Sequence, residues 1–190
     1  MENVLVTFDL SSKLTNQIFD LRNIISQFEL QPGMKIADLG SGSGYFTIEM
    51  AKAIGDGGVV AAVDVLESAL ETVRVKAVTA DLKNIHLVRA NLEVLGSTFL
   101  SDNSQDFVLI KNVLFQNDQK IGIIREAKRM LMPGRKLVII DWEKGAGGLG
   151  PPDEYRTPKE SILSLATQEG LTYEKEITID IYHFGMMFRK

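Results

Sequence analysis

The sequence predicts an α/β protein: a doubly wound, mostly parallel sheet of about seven strands with an antiparallel edge strand. Three observations carry this. From residue 34 onward, near-continuous apolar runs alternate with helix-forming segments, the pattern of a parallel sheet covered on both faces. The last two strand-like runs adjoin through a tight connection, too short for a crossover, so they pair antiparallel. And 190 residues are enough for one domain with a substantial core.

The elements follow in order. Residues 12–28 place Leu14, Ile18, Leu21, Ile25 and Phe28 on one helical face, and "QPG" breaks that helix. We assign residues 1–30 to a helical extension packed on the domain and 31–190 to the domain itself. "MKIADL" (34–39) is the first strand, followed by a helix over 44–54. "GVVAAVD" (58–64) is the second, followed by a long helix over 66–80. "IHLVRA" (85–90) and "SQDFVLIK" (104–111) are the third and fourth. Asp118 is placed to cap a helix running to Met132, which "PG" terminates, and "KLVIID" (136–141) is the fifth strand. "TPKE" (157–160) reads as a capping box with Pro158 at the first helical position. Gly170 ends that helix, and "LTYEKEITID" and "IYHFGMMFRK" are the closing strands.

Composition narrows the function. With no cysteine, disulfides, thiolate metal sites and cysteine catalysis are out. His86 and His183 are the only histidines and lie far apart, so no metal site is expected. The net charge is −4 and the basic residues are scattered among acids, so there is no strong nucleic-acid signal. No apolar run approaches the roughly 18 residues that span a bilayer. "MENVLVTFDL" has neither a basic leader nor a cleavage site, and the expected location is cytoplasmic.

In open α/β sheets the ligand lies at the carboxyl ends of the strands. There stands Asp38-Leu39-Gly40-Ser41-Gly42-Ser43-Gly44, where glycine lets the chain turn sharply and a ligand lie against the backbone. A P-loop needs a lysine directly after its last glycine; here Tyr45 and Phe46 follow. A dinucleotide fingerprint needs G-x-G-x-x-G, and the sixth position is Tyr45 or Thr47, depending on register. The remaining pattern, acid-x-Gly-x-Gly-x-Gly, suits a ligand without phosphate, with an amino-acid end and a ribose. Asp64, 20 residues after Gly44, closes the second strand and is placed to accept from both ribose hydroxyls.

With these motifs in view, residues 29–190 resemble the class I S-adenosylmethionine-dependent methyltransferases, in particular the ubiquinone/menaquinone-biosynthesis type. "LQPGMKIADLGSGSGYFTIEMAKAIG", "VVAAVDVLESAL", "NIHLVRANLEVL", "DNSQDFVLIKNVLF" and "EAKRMLMPGRKLVIIDWE" carry the resemblance, in the family's order. It implies a Rossmann-like methyltransferase fold and S-adenosyl-L-methionine as cofactor. Gly40 and Gly42, in the loop with Ser41 and Gly44, would lie against its methionine moiety, and Asp38 would hold the ammonium group. Asp64 would take the ribose, Val65 one face of adenine, and Leu92 the other face and adenine N1. Asn91 departs from the family, which usually has an aspartate there to accept from the adenine amino group. An amide oxygen still accepts, without the charge-assisted part of the bond.

Lys111 and Asn112 would end the fourth strand beneath the methyl group. Enzymes that methylate amino groups of bases carry two prolines after that position. Asn112-Val113-Leu114-Phe115 has none, which argues against such an acceptor. The Gly/Pro-rich loop 142–158 is expected to be a substrate lid, with Trp142, Tyr155 and Arg156 as contacts beside Asn112 and His183. No catalytic base is assigned; His183 and Tyr155 are the candidates. The expected activity is methyl transfer to a small-molecule acceptor. The alternatives are a protein or RNA acceptor, and a domain that binds the cofactor without turnover.

Overall fold

A computed structural model of the chain describes residues 21–190. Its elements are α1 (Leu21–Ser26), β1 (Lys35–Leu39), α2 (Tyr45–Ile54), β2 (Val59–Asp64), α3 (Glu67–Thr79), β3 (Ile85–Arg89), β4 (Gln105–Lys111), α4 (Lys120–Met130), β5 (Leu131–Trp142), α5 (Lys159–Gln168), β6 (Thr172–Ile177) and β7 (His183–Arg189). The seven strands form one sheet in the order β3-β2-β1-β4-β5-β7-β6. The first five run parallel. β7 is antiparallel to both β5 and β6, so the reversed strand lies one position in from the edge. The doubly wound α/β fold is as the sequence predicts. Of the helix expected over 12–28, α1 is the described part; residues 12–20 lie outside the described residues.

Alternation along each strand splits the core between the two faces. Ile36, Val60, Phe107, Leu109, Val138 and Ile140 face α1 and α2, while Ala37, Leu39, Val108, Ile110, Leu137 and Ile139 face α4 and α5. After α1 the chain turns through Glu29 (φ 59°) and Gly33 (φ 84°) into β1. Phe28, fully buried, stacks on Phe46 of α2 and Phe107 of β4, at ring-centroid distances of 6.2 and 5.3 Å.

Three local expectations are corrected. The fourth helix ends at Met130 rather than Met132, and β5 begins at Leu131. Leu131 pairs with Gln105 and Lys136 with Phe107, so Pro133-Gly134 is accommodated as an irregularity inside the strand, with Gly134 at φ 76°. Proline cannot donate to a ladder, and a strand tolerates it at such an irregularity. The capping box does not form: α5 begins at Lys159, Pro158 takes the cap position, and no side chain caps it. Thr157 is buried instead. Likewise Gln119, not Asp118, precedes α4.

Phe28 carries the packing of residues 21–28 onto the sheet. Phe28→Ala should cost about 3–5 kcal/mol of stability, as large-to-small changes at filled core positions do. Urea unfolding with an unchanged midpoint would show that this segment is not part of the core.

Candidate cofactor and acceptor site

β1 sits where the strand order reverses, with β2 on one side and β4 on the other. A cavity of about 790 Å³ opens there, at the carboxyl ends of these strands. Its walls include Asp38, Gly40, Ser41, Gly42, Asp64, Val65, Asn91, Leu92, Lys111 and Asn112. All but one of the residues expected to hold the cofactor therefore meet at one place. The exception is Gly44, which begins α2 at φ 80°; a Cβ on it would lie 2.8 Å from Val73 Cγ2 of α3. Its role here is helix packing.

The glycine loop is held from two directions. The amides of Gly40 and Ser41 both donate to Val63 O, at 2.8 and 2.9 Å. Asp64 Oδ2 accepts from the Gly42 amide at 2.8 Å, and Oδ1 accepts from the Leu66 amide at 2.9 Å. Each carboxylate oxygen keeps a lone pair for a further donor. Gly40 must be glycine: its φ is 76°, and a Cβ would collide with the Val113 side chain. At Gly42 a Cβ would meet nothing within 4 Å, so the loop is bare on that side.

Asp38 is fully buried at the loop's base, where Oδ2 accepts from the Thr47 hydroxyl at 2.5 Å. Burial pushes its carboxyl up to about 6; the Thr47 hydroxyl and the Lys111 ammonium oppose that rise. Burial also lowers Lys111, against the pull of Asp38, Asp141 and Asp180. Asp141 is raised by burial to about 6 in the same way, while its oxygens accept from the Trp142 and Phe115 amides. Asn91 Oδ1 accepts from the Glu93 amide at 3.0 Å, an Asx turn that aims the loop after β3.

A group with an amino-acid end and a ribose fits this wall. Beyond the carboxylate and the bare backbone, Ser41 Oγ and Asn112 Oδ1 are buried without a hydrogen-bond partner among the described residues. Such orphans are few in folded proteins and call for a partner. Among the described residues no three His, Cys, Asp or Glu side chains are grouped to hold a metal.

The acceptor-side expectations divide. Asn112 lines the cavity; Trp142, Tyr155, Arg156 and His183 do not. The Arg156 guanidinium donates to the carbonyls of Glu143, Leu149 and Pro151 at 2.7, 2.5 and 3.0 Å. It folds loop 142–158 around itself, committing three of its five N–H donors to the loop. Gly150 packs against the Trp142 ring, and Tyr155 points outward. His183 lies behind Asn112, which separates it from the cavity. Sequence reasoning missed Gln116 and Asn117, which do line it. Gln116 ends the turn Leu114–Gln116 and Asn117 comes directly after it, past Phe115, where the sequence reading stopped.

A family profile described as "Methyltransferase domain" matches residues 30–172. The chain belongs to the methyltransferase-domain family. As a member, it is a class I S-adenosylmethionine-dependent methyltransferase domain. The ubiquinone/menaquinone biosynthesis C-methyltransferase UbiE of Shewanella sp. (strain W3-18-1) is 32% identical over 124 residues, 65% of this chain and 48% of that one. The UbiE of Shewanella frigidimarina is 30% identical over 143 residues, 75% of this chain and 51% of that one. The chain thus spans about half the length of the curated relatives it matches. A crystal structure of a SAM-dependent methyltransferase from Aquifex aeolicus superposes with a TM-score of 0.82 at 26% identity, covering 91% of this chain and 90% of that one. The [4+2]-cyclase SpnF, at 14% identity and a TM-score of 0.73, shares the fold alone; it covers 88% of this chain and 78% of that one. Among the described residues no helix is long and apolar enough to cross a membrane.

The buried Asp38 carboxyl makes stability depend on pH. Its folded pKa is raised from 3.8 to about 6, so its contribution is fully present below 3.8 and is lost as pH rises through about 6. Asp38→Asn should therefore gain on the wild type between pH 4 and 7, levelling at about 2–3 kcal/mol. Denaturant titrations across that range check this. A difference that does not change with pH would contradict it.

Proposed function

We propose that this methyltransferase domain transfers a methyl group from S-adenosylmethionine to a small-molecule acceptor. One observation supports it above the rest: the Asp64 carboxylate, tied to the Gly42 and Leu66 amides, stands in the wall of the cavity with acceptor capacity to spare. Asp64 would accept from the ribose hydroxyls. Gly40, Gly42 and Ser41 would line the methionine moiety, and Asp38 would hold its ammonium group. Val65 and Leu92 would flank adenine, and Asn91 would accept from its amino group.

When bound, the cofactor supplies a methyl group on a sulfonium, which is already activated for transfer. The domain's part is to hold the acceptor in line and keep water out, which orientation alone can make fast. A small molecule suits this arrangement, because the charged lining groups Asp38, Asp64 and Lys111 are joined at the cavity by the amides Asn112, Gln116 and Asn117. The C-methyltransferase names of the Shewanella relatives favour a small acceptor too. His183 and Tyr155 remain outside the cavity, so neither is proposed as a base.

Asp64→Ala should weaken S-adenosylhomocysteine binding at least tenfold, about 1.4 kcal/mol. Unchanged affinity in a folded variant would remove Asp64 from the site. Asn91→Asp restores a carboxylate at the adenine position. It should tighten binding about three- to tenfold through a charge-assisted bond. Calorimetry of the two variants side by side tests both; weaker binding by Asn91→Asp would take Asn91 away from adenine.

A further inference from the structure

Behind the cavity wall three polar side chains form a chain that ends at the cavity. Asp180 Oδ1 accepts from the amides of Tyr182 and His183 at 2.6 and 2.9 Å, which fixes the carboxylate. Both its oxygens lie 3.0 Å from His183 Nδ1. His183 Nε2 lies 3.2 Å from Asn112 Nδ2. The imidazole packs on Trp142 with ring centroids 4.1 Å apart, and His183 is buried. Asn112 holds a left-handed backbone (φ 54°) at the end of β4, with its amide donating to Ile140 O at 2.9 Å. Asparagine tolerates that conformation better than most residues.

Counting donors and acceptors fixes the polarity of the chain. An ionised carboxylate only accepts, so Nδ1 carries the proton. A neutral imidazole then offers a lone pair at Nε2, and Asn112 must present its NH₂ group there. The amide oxygen is left over. Asn112 Oδ1 is buried and has no partner among the described residues, while Asn112 lines the cavity.

We propose that Asp180 and His183 are positioning residues that lock the Asn112 amide so that its oxygen receives the methyl acceptor, which is therefore an uncharged molecule bearing an O–H or N–H donor on an apolar body. This rests on the methyltransferase reading above. The cavity lining is compatible with this: it includes the apolar Phe46, Val113 and Leu21 and the neutral amides Gln116 and Asn117. Of the charged lining groups Asp38, Asp64 and Lys111, Lys111 is the one next to Asn112 in the chain, and its ammonium disfavours a cationic acceptor there. Burial lowers the pKa of His183 and so favours the neutral ring; Asp180 opposes this, and Lys111 and Arg156 reinforce it. Protonation of His183 would put a donor at Nε2 and turn the amide over, presenting NH₂ to the cavity.

The test uses the full chain saturated with S-adenosylhomocysteine, titrated by NMR with phenol and with toluene. Toluene has the same shape and is more apolar, so phenol binds better only if its O–H is met. The wild-type complex should bind phenol at least fivefold more tightly than toluene. That preference should fall to within about twofold in Asn112→Gly, which removes the amide at a backbone angle glycine accepts. It should fall similarly in His183→Ala and return in His183→Gln, whose side-chain carbonyl can take the Asn112 NH₂. Imidazole nitrogen shifts should show Nδ1 protonated and Nε2 unprotonated at pH 7. Equal affinity of the two probes for the wild-type complex, a preference that survives Asn112→Gly, or a protonated Nε2 at pH 7 would overturn the proposal. Failure of wild-type protein to bind S-adenosylhomocysteine at all would instead overturn the methyltransferase reading beneath it.

Discussion

The site depends on one carboxylate joining two loops. Asp64 ends β2, yet its oxygens take the amide of Gly42 from the loop after β1 and the amide of Leu66 at the start of α3. Val63, one residue earlier, takes the amides of Gly40 and Ser41 through its carbonyl. The loop's three glycines have no side chains to hold it and the Ser41 hydroxyl has no partner among the described residues, so its shape is imposed by the end of the neighbouring strand. The parallel β1–β2 pairing sets that neighbour in place, with Leu39 against Val63. A loop fixed this way keeps its backbone bare toward the cavity, which is what a ligand lying directly on it requires.

Charge is arranged around this loop at some cost to stability. Asp38 and Asp141 are buried and Lys111 is half-buried near them, and desolvation moves each toward its neutral form. A chain selected for stability alone would place apolar residues there. On the proposed reading, these groups serve the charged end of the cofactor, and the amides of Asn112, Gln116 and Asn117 serve the acceptor. The [4+2]-cyclase shares the fold alone; a fold does not set the chemistry, which is decided by the side chains around the site.

Much of the fold was legible because the apolar runs are long and their ends are marked. Strands β1 to β4 and helices α2, α3 and α5 fall within a residue or two of their sequence-based bounds. The misses have local causes. Pro133-Gly134 reads as a helix stop followed by a turn, but the structure folds it into β5 as an irregularity. Thr157 carries the spacing of a capping box yet is drawn into the interior. At the site, the place of Gly40, Gly42, Asp38, Asp64 and Asn91 in the cavity wall was legible because they cluster at strand ends in chain order. Arg156 was misjudged because a long Gly/Pro loop with an arginine reads as a lid. Nothing local shows that the guanidinium binds three carbonyls of its own loop. The link between Asn112 and His183 joins residues 71 positions apart. It follows from β7 pairing beside β5, which no spacing in the sequence displays.

The central claim is that this wall holds S-adenosylmethionine. Calorimetric titration of the purified protein, dialysed beforehand, with S-adenosylmethionine, S-adenosylhomocysteine and NADH tests it most directly. Micromolar binding of both sulfur ligands with no heat from NADH is the predicted result. Silence from both sulfur ligands in folded protein would contradict the account, whatever the likeness of the fold.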